Sequence, residues 1–240
     1  MVLSSMPVGE NDKRVILLTK ERGRISAFAR GARRPNSHLL AACTPFSFGE
    51  FEIYEGRSSY TIQRASIREF FEEMKVDLDY IWYGTFFLEV ADYYAQENTD
   101  ERERLKLLFQ TFRAICSKKF SLPFIKAVYE LKTIALNGEY PNVFSCMTCG
   151  KSEELVAFSM EERGCLCKEC AVDQSDAVMV SPSVIYALQY VISSSVEKLF
   201  TFRLKPNLEE EFIQFIEEYR RRYFFHTYKS EAYIPNGNDS

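Results

Sequence analysis

The stretch Arg14-Val15-Ile16-Leu17-Leu18-Thr19, the turn Glu21-Arg22-Gly23 and the run Ile25-Ser26-Ala27-Phe28-Ala29-Arg30 decide the fold of the N-terminal region. Val15, Leu17 and Thr19 alternate with Arg14, Ile16 and Leu18 across a short glycine-containing turn, so the stretch predicts a β-hairpin. Working outward, Gly31 to Ser37 reads as a loop, and Ser37 as the cap of a short helix ending at Ala42. Phe46, Phe48, Phe51 and Ile53 mark a further strand whose two-residue period slips at Gly49-Glu50, the signature of a bulge. Glu55-Gly56-Arg57-Ser58 turns the chain into a returning strand from Tyr60 to Arg64. With a first strand near Val2-Leu3, about five short strands follow one another closely, which suits a small closed barrel of the OB-fold type.

From about Val76 the apolar period becomes helical. Tyr83, Phe86, Phe87, Val90 and Tyr94 form one stripe, Leu105, Leu108, Phe109, Phe112 and Cys116 a second, and Phe124, Ala127, Val128, Leu131 and Ala135 a third. Pro182 opens a helix expected to run through Leu199, and Phe212, Phe215, Ile216, Tyr219 and Tyr223 line a last one. Such stripes are the core faces of packed helices. The tail at 236–240 is expected to be disordered. The fold class is therefore α+β and multidomain: an OB-fold β-barrel over residues 1–77, then an all-α domain over 78–240 with a four-cysteine zinc ribbon inserted at about 143–175.

The chain holds seven cysteines in 240 residues, and five of them fall between Cys146 and Cys170. Nothing at the N-terminus looks like a signal peptide, so metal binding is a better expectation than a disulfide framework. Cys146-x-x-Cys149 and Cys167-x-x-Cys170 are separated by a hairpin-length excursion containing the strand-like Leu155-Val156-Ala157-Phe158-Ser159-Met160. A two-residue gap lets one tight turn aim two sulfurs at one ion, and four thiolates make a closed, tetrahedral, structural zinc site of one Zn2+ per chain. Cys165 competes with Cys167 as the third ligand, although the two-residue spacing to Cys170 favours Cys167. Cys43 and Cys116 read as small buried hydrophobes. Four thiolates leave no open coordination position, so a zinc hydrolase is poorly supported.

The formal net charge is −4, yet residues 1–40 carry eight Lys and Arg against three acidic residues, a surplus of five, which leaves −9 on the rest. A basic front on an acidic body points to a polyanionic partner. Lys20, Arg22 and Arg24 surround the hairpin turn and Arg30, Arg33 and Arg34 the next loop, a set that fits the phosphates of a nucleic acid and equally a solvated hairpin face. Phe28, Tyr54 and Tyr60 are candidate stacking platforms for bases, and equally candidate barrel-core residues. His38 and His226 stand in no catalytic constellation, and no phosphate-binding glycine loop of a nucleotidase is present. No enzymatic activity is expected. No apolar run reaches the roughly 18 residues of a membrane span, so the expected location is the cytoplasm.

Several motifs in order resemble the RecO family of bacterial recombination mediators. They are Gly9-Glu10-Asn11-Asp12-Lys13, Thr19-Lys20-Glu21-Arg22-Gly23-Arg24-Ile25, Arg30-Gly31-Ala32-Arg33-Arg34, Leu88-Glu89, Tyr129-Glu130-Leu131-Lys132, Gly138-Glu139-Tyr140-Pro141 and the two cysteine pairs. The resemblance implies binding of single- and double-stranded DNA, annealing of complementary strands and association with RecR. It also implies docking on the C-terminal tail of single-strand DNA-binding protein, help in loading RecA, and a nucleoid-associated state in the bacterial cytoplasm. Gly164-Cys165 departs from the Gly-Gly often found before the second pair. An alternative is a zinc-stabilised protein-interaction adaptor with secondary DNA contacts. In either case Lys126 and Lys132, near the apolar face of the helix at 122–137, are candidates to receive the carboxylate of a partner's tail.

Overall fold

Strands β1 (Val2–Val8), β2 (Asp12–Thr19) and β3 (Gly23–Ala29) form an antiparallel meander in the computed structural model, which describes residues 1–235. The tail expected to be disordered lies outside the described residues. A four-residue helix, α1 (Leu39–Ala42), leads to β4 (Phe48–Glu55) and β5 (Tyr60–Glu69). β5 pairs in parallel with β3 and antiparallel with β4, so the sheet runs β1-β2-β3-β5-β4. The ends meet where the Val2 N–H reaches the Ser47 carbonyl at 2.9 Å and the Phe46 N–H reaches the Val2 carbonyl at 3.3 Å. A five-stranded barrel closed in this order is an OB-fold. Its β4–β5 register slips between Phe48 and Gly49, and again between Glu52 and Ile53.

Val15, Leu17, Ile25, Ala27, Ala29 and Ile62 fill the barrel. The outward residues of β2 at Ile16 and Leu18 are buried as well, because helices cover that side. α2 (Leu78–Tyr94) packs on β1, and α3 (Arg102–Ser117) on β2. Aromatic rings fasten α3 to the barrel rim: Phe46 lies 5.4 Å from Phe112, Phe48 lies 4.6 Å from Phe109, and Phe71 touches both α3 rings. Two glycines are required by close approach. Gly84 lets α2 meet the Phe46 ring, where a Cβ would stand 2.7 Å from ring carbon. Gly23, at φ +62°, admits the Gln96 carbonyl to a place where a Cβ would be 2.0 Å away.

The contacts divide the chain elsewhere than at residue 77. One unit comprises Met1–Lys118 together with the chain from Thr227, so α2 and α3 belong with the barrel. The other spans Lys119–His226. Within the first unit the C-terminal segment returns as a strap on α2. The Glu89 carboxylate accepts from the Lys229 and Ser230 N–H groups at 3.0 and 2.9 Å and from the Ser230 hydroxyl at 2.5 Å. Tyr233 stacks on Trp82 at 4.6 Å.

The second unit packs α4 (Leu122–Leu136) against α5 (Pro182–Ser193) and α6 (Pro206–Tyr223), with a three-stranded sheet between α4 and α5 in the chain. That sheet, β6 (Leu155–Ser159), β7 (Gly164–Cys167) and β8 (Ala177–Met179), runs β7-β6-β8. Ser121 caps α4 by accepting from the Phe124 N–H, with Pro123 in the first turn. α5 ends at Ser193 rather than at Leu199. Ser194 turns extended, the Lys132 ammonium takes the Ile192 and Ser194 carbonyls at 2.9 and 2.7 Å, and Val196–Lys198 forms a separate 3-10 turn.

The strap makes an acid-sensitive contact. Desolvation would raise the Glu89 pKa, but hydrogen bonds from Ser230 and Lys229 outweigh it and hold the carboxyl below its ordinary range. The anchorage is therefore complete above the unfolded value of about 4.3 and disappears as pH falls through the lower folded value. Trp82 is the sole tryptophan. Its emission should change in that acid range in the native chain, whereas Glu89→Gln should show the altered emission already at neutral pH. A wild-type signal flat through the acid range, matched by the variant, would refute this.

Candidate metal centre and nucleic-acid face

The metal centre grows from two knuckles. In the first, the Cys146 N–H bonds the Lys151 carbonyl at 2.7 Å and the Gly150 N–H bonds the Cys146 carbonyl at 2.9 Å, with Gly150 in the left-handed region at φ +76°. The second follows β7, whose last residue is Cys167, and places Cys170 at the start of a short 3-10 turn. The sulfurs of Cys146, Cys149, Cys167 and Cys170 lie within 4.8 Å of one another. Cys149 and Cys167 are 3.7 Å apart. A tetrahedral metal with metal–sulfur bonds of about 2.3 Å spans about 3.8 Å along each sulfur–sulfur edge, so the donor set and its size fit one thiolate-ligated ion.

Desolvation opposes ionisation of Cys146, but the N–H groups of Cys167, Cys149 and Thr148 and the Cys149 thiol outweigh it and bring the group down to about 6. A sulfur held as thiolate is ready to ligate. Cys165 is not in the cluster. It pairs opposite Phe158 within the sheet, is fully buried, and its thiol is pushed up to about 12, mainly by burial and secondarily by Cys146. At the far end of the ribbon Asp176 accepts from the Ser159 hydroxyl, the Glu161 N–H and the Gln174 amide, which ties β8 to the β6–β7 turn.

The cations of the N-terminal region have separate fates. Lys13 donates to the Leu40 and Cys43 carbonyls and so closes the end of α1. Lys20 pairs with Glu21 at 3.0 Å and Arg22 with Glu55 at 2.9 Å. Arg24 grips Asp92 of α2 through two hydrogen bonds of 2.7 and 3.2 Å. Arg33 donates to the Gly9 carbonyl. Arg30 and Arg34 are exposed, and neither makes an ion pair among the described residues.

A cleft of about 520 Å³ lies on the β2–β3 face, rimmed by the β4–β5 loop and lined by Arg14, Ser26, Phe28, Arg57 and Tyr60 together with the carboxylates of Glu55, which already pairs with Arg22, and Glu97, which holds the Tyr60 hydroxyl. Strand register explains its composition. Arg14 pairs opposite Phe28 and Ile16 opposite Ser26, so Arg14, Ser26 and Phe28 share the outward face. Phe28 is half-buried there. Tyr60 packs against the barrel core with its hydroxyl on Glu97 at 2.9 Å, and Tyr54 is 59% exposed. Sequence reasoning does not single out Arg14 and Arg57. The signals that could find them are the place of Arg14 at the polar start of β2, on the strand face shared with Ile16 and Leu18, and the position of Arg57 in a tight turn.

Lys126 and Lys132 are buried. Lys126 pairs with Glu130 at 3.1 Å, which Arg220 of α6 also meets at 3.1 Å, and Lys132 closes the end of α5 as described. Both ammonium groups have structural partners inside the unit.

Comparison with known proteins agrees along the whole length. The model of the Recombination protein O N terminal matches residues 1–71 and that of the Recombination protein O C terminal matches residues 75–232. The chain belongs to the RecO family. A DNA repair protein RecO of Caldanaerobacter subterraneus subsp. tengcongensis is 30% identical over 242 residues, covering 100% of this chain and 97% of that protein. One from Alkaliphilus metalliredigens is 29% identical over 219 residues, covering 91% and 89%. In this RecO-family chain no helix among the described residues is long and apolar enough to cross a membrane.

The purified protein should carry about one metal ion per chain by elemental analysis. Cys146→Ala should lose the ion and melt several degrees lower, while Cys165→Ser should retain it. Loss of metal from Cys165→Ser with retention in Cys167→Ser would reassign the third ligand.

Proposed function

We propose that the protein is a non-enzymatic mediator of DNA repair and recombination in the bacterial cytoplasm. It binds single- and double-stranded DNA, anneals complementary strands and, with RecR, helps load RecA on DNA coated by single-strand-binding protein. Family membership supports the repair role. The observation that carries DNA contact is the barrel's β2–β3 face, where Arg14, Arg57 and the nearby loop cations Arg30, Arg33 and Arg34 accompany Phe28. That face and the β4–β5 loop are where OB-folds take oligonucleotides, with backbone phosphates on cations and bases on rings. Annealing would follow from neutralising the phosphates of two strands together, which lowers their mutual repulsion and raises their local concentration.

The metal is assigned as zinc, since four thiolates in a tetrahedron suit it and a closed set leaves no place for substrate. Cys146, Cys149, Cys167 and Cys170 would hold it. It would supply folding energy to the ribbon, and no step of annealing passes through it.

The cations should divide into two classes by experiment. Arg30→Gln with Arg33→Gln and Arg34→Gln should weaken binding to labelled single-stranded DNA and flatten its salt dependence, by about 0.7 in log–log slope for each phosphate no longer neutralised. Arg24→Met should instead cost about 1 kcal/mol of stability through Asp92 and leave the slope nearly unchanged. Equal salt slopes for the triple variant and the wild type would remove the barrel from the DNA interface and favour the adaptor alternative.

A further inference from the structure

The acidic body predicted from net charge conceals a cationic, aromatic surface in the second unit. The segment Lys198-Leu199-Phe200-Thr201-Phe202-Arg203-Leu204-Lys205 follows α5 and wraps the start of α4. Phe120 lies 5.9 Å from Phe200 and stacks on Phe124 at 5.9 Å, and Phe124 meets Phe202 edge-on at 5.6 Å. The Arg203 guanidinium sits over the Phe120 ring, 5.5 Å from its centre. Phe120, Phe200 and Phe202 are only half-buried, while Lys119, Lys198, Arg203 and Lys205 are all exposed. None of these four cations makes an ion pair among the described residues. That sets them apart from Lys20, Arg22 and Arg24 of the barrel, each of which already faces a carboxylate. The nearest acids in sequence are Glu197 and Glu209, and Glu209 is engaged with the Ser121 hydroxyl at 2.6 Å.

The surface is also held in shape. The Tyr190 hydroxyl donates to the Lys198 carbonyl at 3.1 Å and meets the Thr201 hydroxyl at 2.8 Å, and Tyr190 packs on Phe202 at 5.1 Å. Lys132 holds the Ser194 carbonyl four residues before the segment. Partly exposed rings interleaved with unpaired cations on a fixed loop are what a single strand needs: ring faces for its bases and point charges for its phosphates.

We propose that this surface is a second contact site for single-stranded nucleic acid, separate from the barrel cleft and resting on the DNA-binding function proposed above. A chain with two such sites holds two strands, or two stretches of one strand, one on each unit. An acidic peptide is the competing occupant by charge. The rings favour a nucleic acid, because half-exposed Phe200 and Phe202 can meet bases while Phe120, stacked on Phe124, holds Arg203 in place, whereas a peptide carboxylate uses the cations and leaves those two rings unused.

The test uses the full chain. Lys119→Gln, Lys198→Gln, Arg203→Gln and Lys205→Gln are combined and compared with the barrel triple variant for binding of labelled oligothymidylate across a salt series and for annealing of complementary oligonucleotides. The quadruple variant should melt with the wild type, lose about tenfold in affinity, flatten the slope by about two to three, and lose annealing more than binding. An unchanged slope and annealing rate beside a weakened barrel triple variant would overturn the second site alone. No effect in either variant would overturn the DNA reading itself. Loss of binding to an aspartate-rich peptide with oligothymidylate binding intact would assign the surface to a peptide and overturn the proposal. Independently, photo-crosslinking of the wild-type chain to 4-thiothymidine-substituted DNA should label Phe120, Phe200 or Phe202, and labelling confined to the barrel would refute it.

Discussion

Burial of β2 on both of its faces is the constraint from which the first unit follows. Val15 and Leu17 point into the barrel, while Ile16 and Leu18 point out of it, and all four are buried. Exposing two large aliphatic side chains on the outside of a small barrel would cost about 3–6 kcal/mol in apolar burial. α2 and α3 remove that cost, and the rings at Phe46, Phe48 and Phe71 receive Phe109 and Phe112 where α3 meets the rim. The barrel therefore does not end its core at its own last strand. Helices that follow it in sequence complete it, and the C-terminal strap on Glu89 adds a further layer to α2.

This arrangement determines which cations remain for a ligand. Covering one side of the barrel commits Arg24 to Asp92, since a guanidinium at that edge must face the helix that arrives there. The uncovered end of the same outward face carries Arg14 and Phe28, the β4–β5 loop beside it carries Arg57, and the loop beyond β3 carries Arg30 and Arg34. A count of positive residues along the first forty overstates the available field, because Lys13 closes a helix end and three others already have carboxylate partners. The field that acts on a polyanion comes from the unpaired remainder.

Local features are legible in the sequence. The hairpin around Gly23, the slipped period near Gly49, the strand at Leu155–Ser159 and the cysteine spacing all express short-range chemistry, and each has a counterpart in the structure. What escapes is set by distant partners. The end of α5 depends on an ammonium sixty residues earlier in the chain at Lys132. The Arg24 pairing spans sixty-eight residues. The continuous apolar run Val15–Leu18 is itself a sign of two-sided burial, but an alternating template assigns half of it to solvent. Lysine usually sits on a helix surface, which is where sequence alone puts Lys126 and Lys132. A buried carboxylate at Glu130 and a helix end supply the partners that let them go inside.

Cys165 shows the same division on a small scale. Spacing alone offers two ways to complete the metal site, since Cys165 and Cys167 are both near Cys170. The choice is made by strand pairing. Cys165 sits opposite Phe158 in a ladder where its N–H reaches the Asn142 carbonyl and its carbonyl receives the Met147 N–H. Cys167 falls where the β6–β7 register shifts, between Leu155 and Ala157, so the chain can leave the sheet there and turn its sulfur toward Cys149. The shift does for Cys167 what a glycine turn does for Cys146: it frees the backbone from the ladder at the residue that must ligate. A substitution that restored regular pairing at that point would displace a ligand without touching a cysteine, so the metal site depends as much on the irregularity of the sheet as on its thiols.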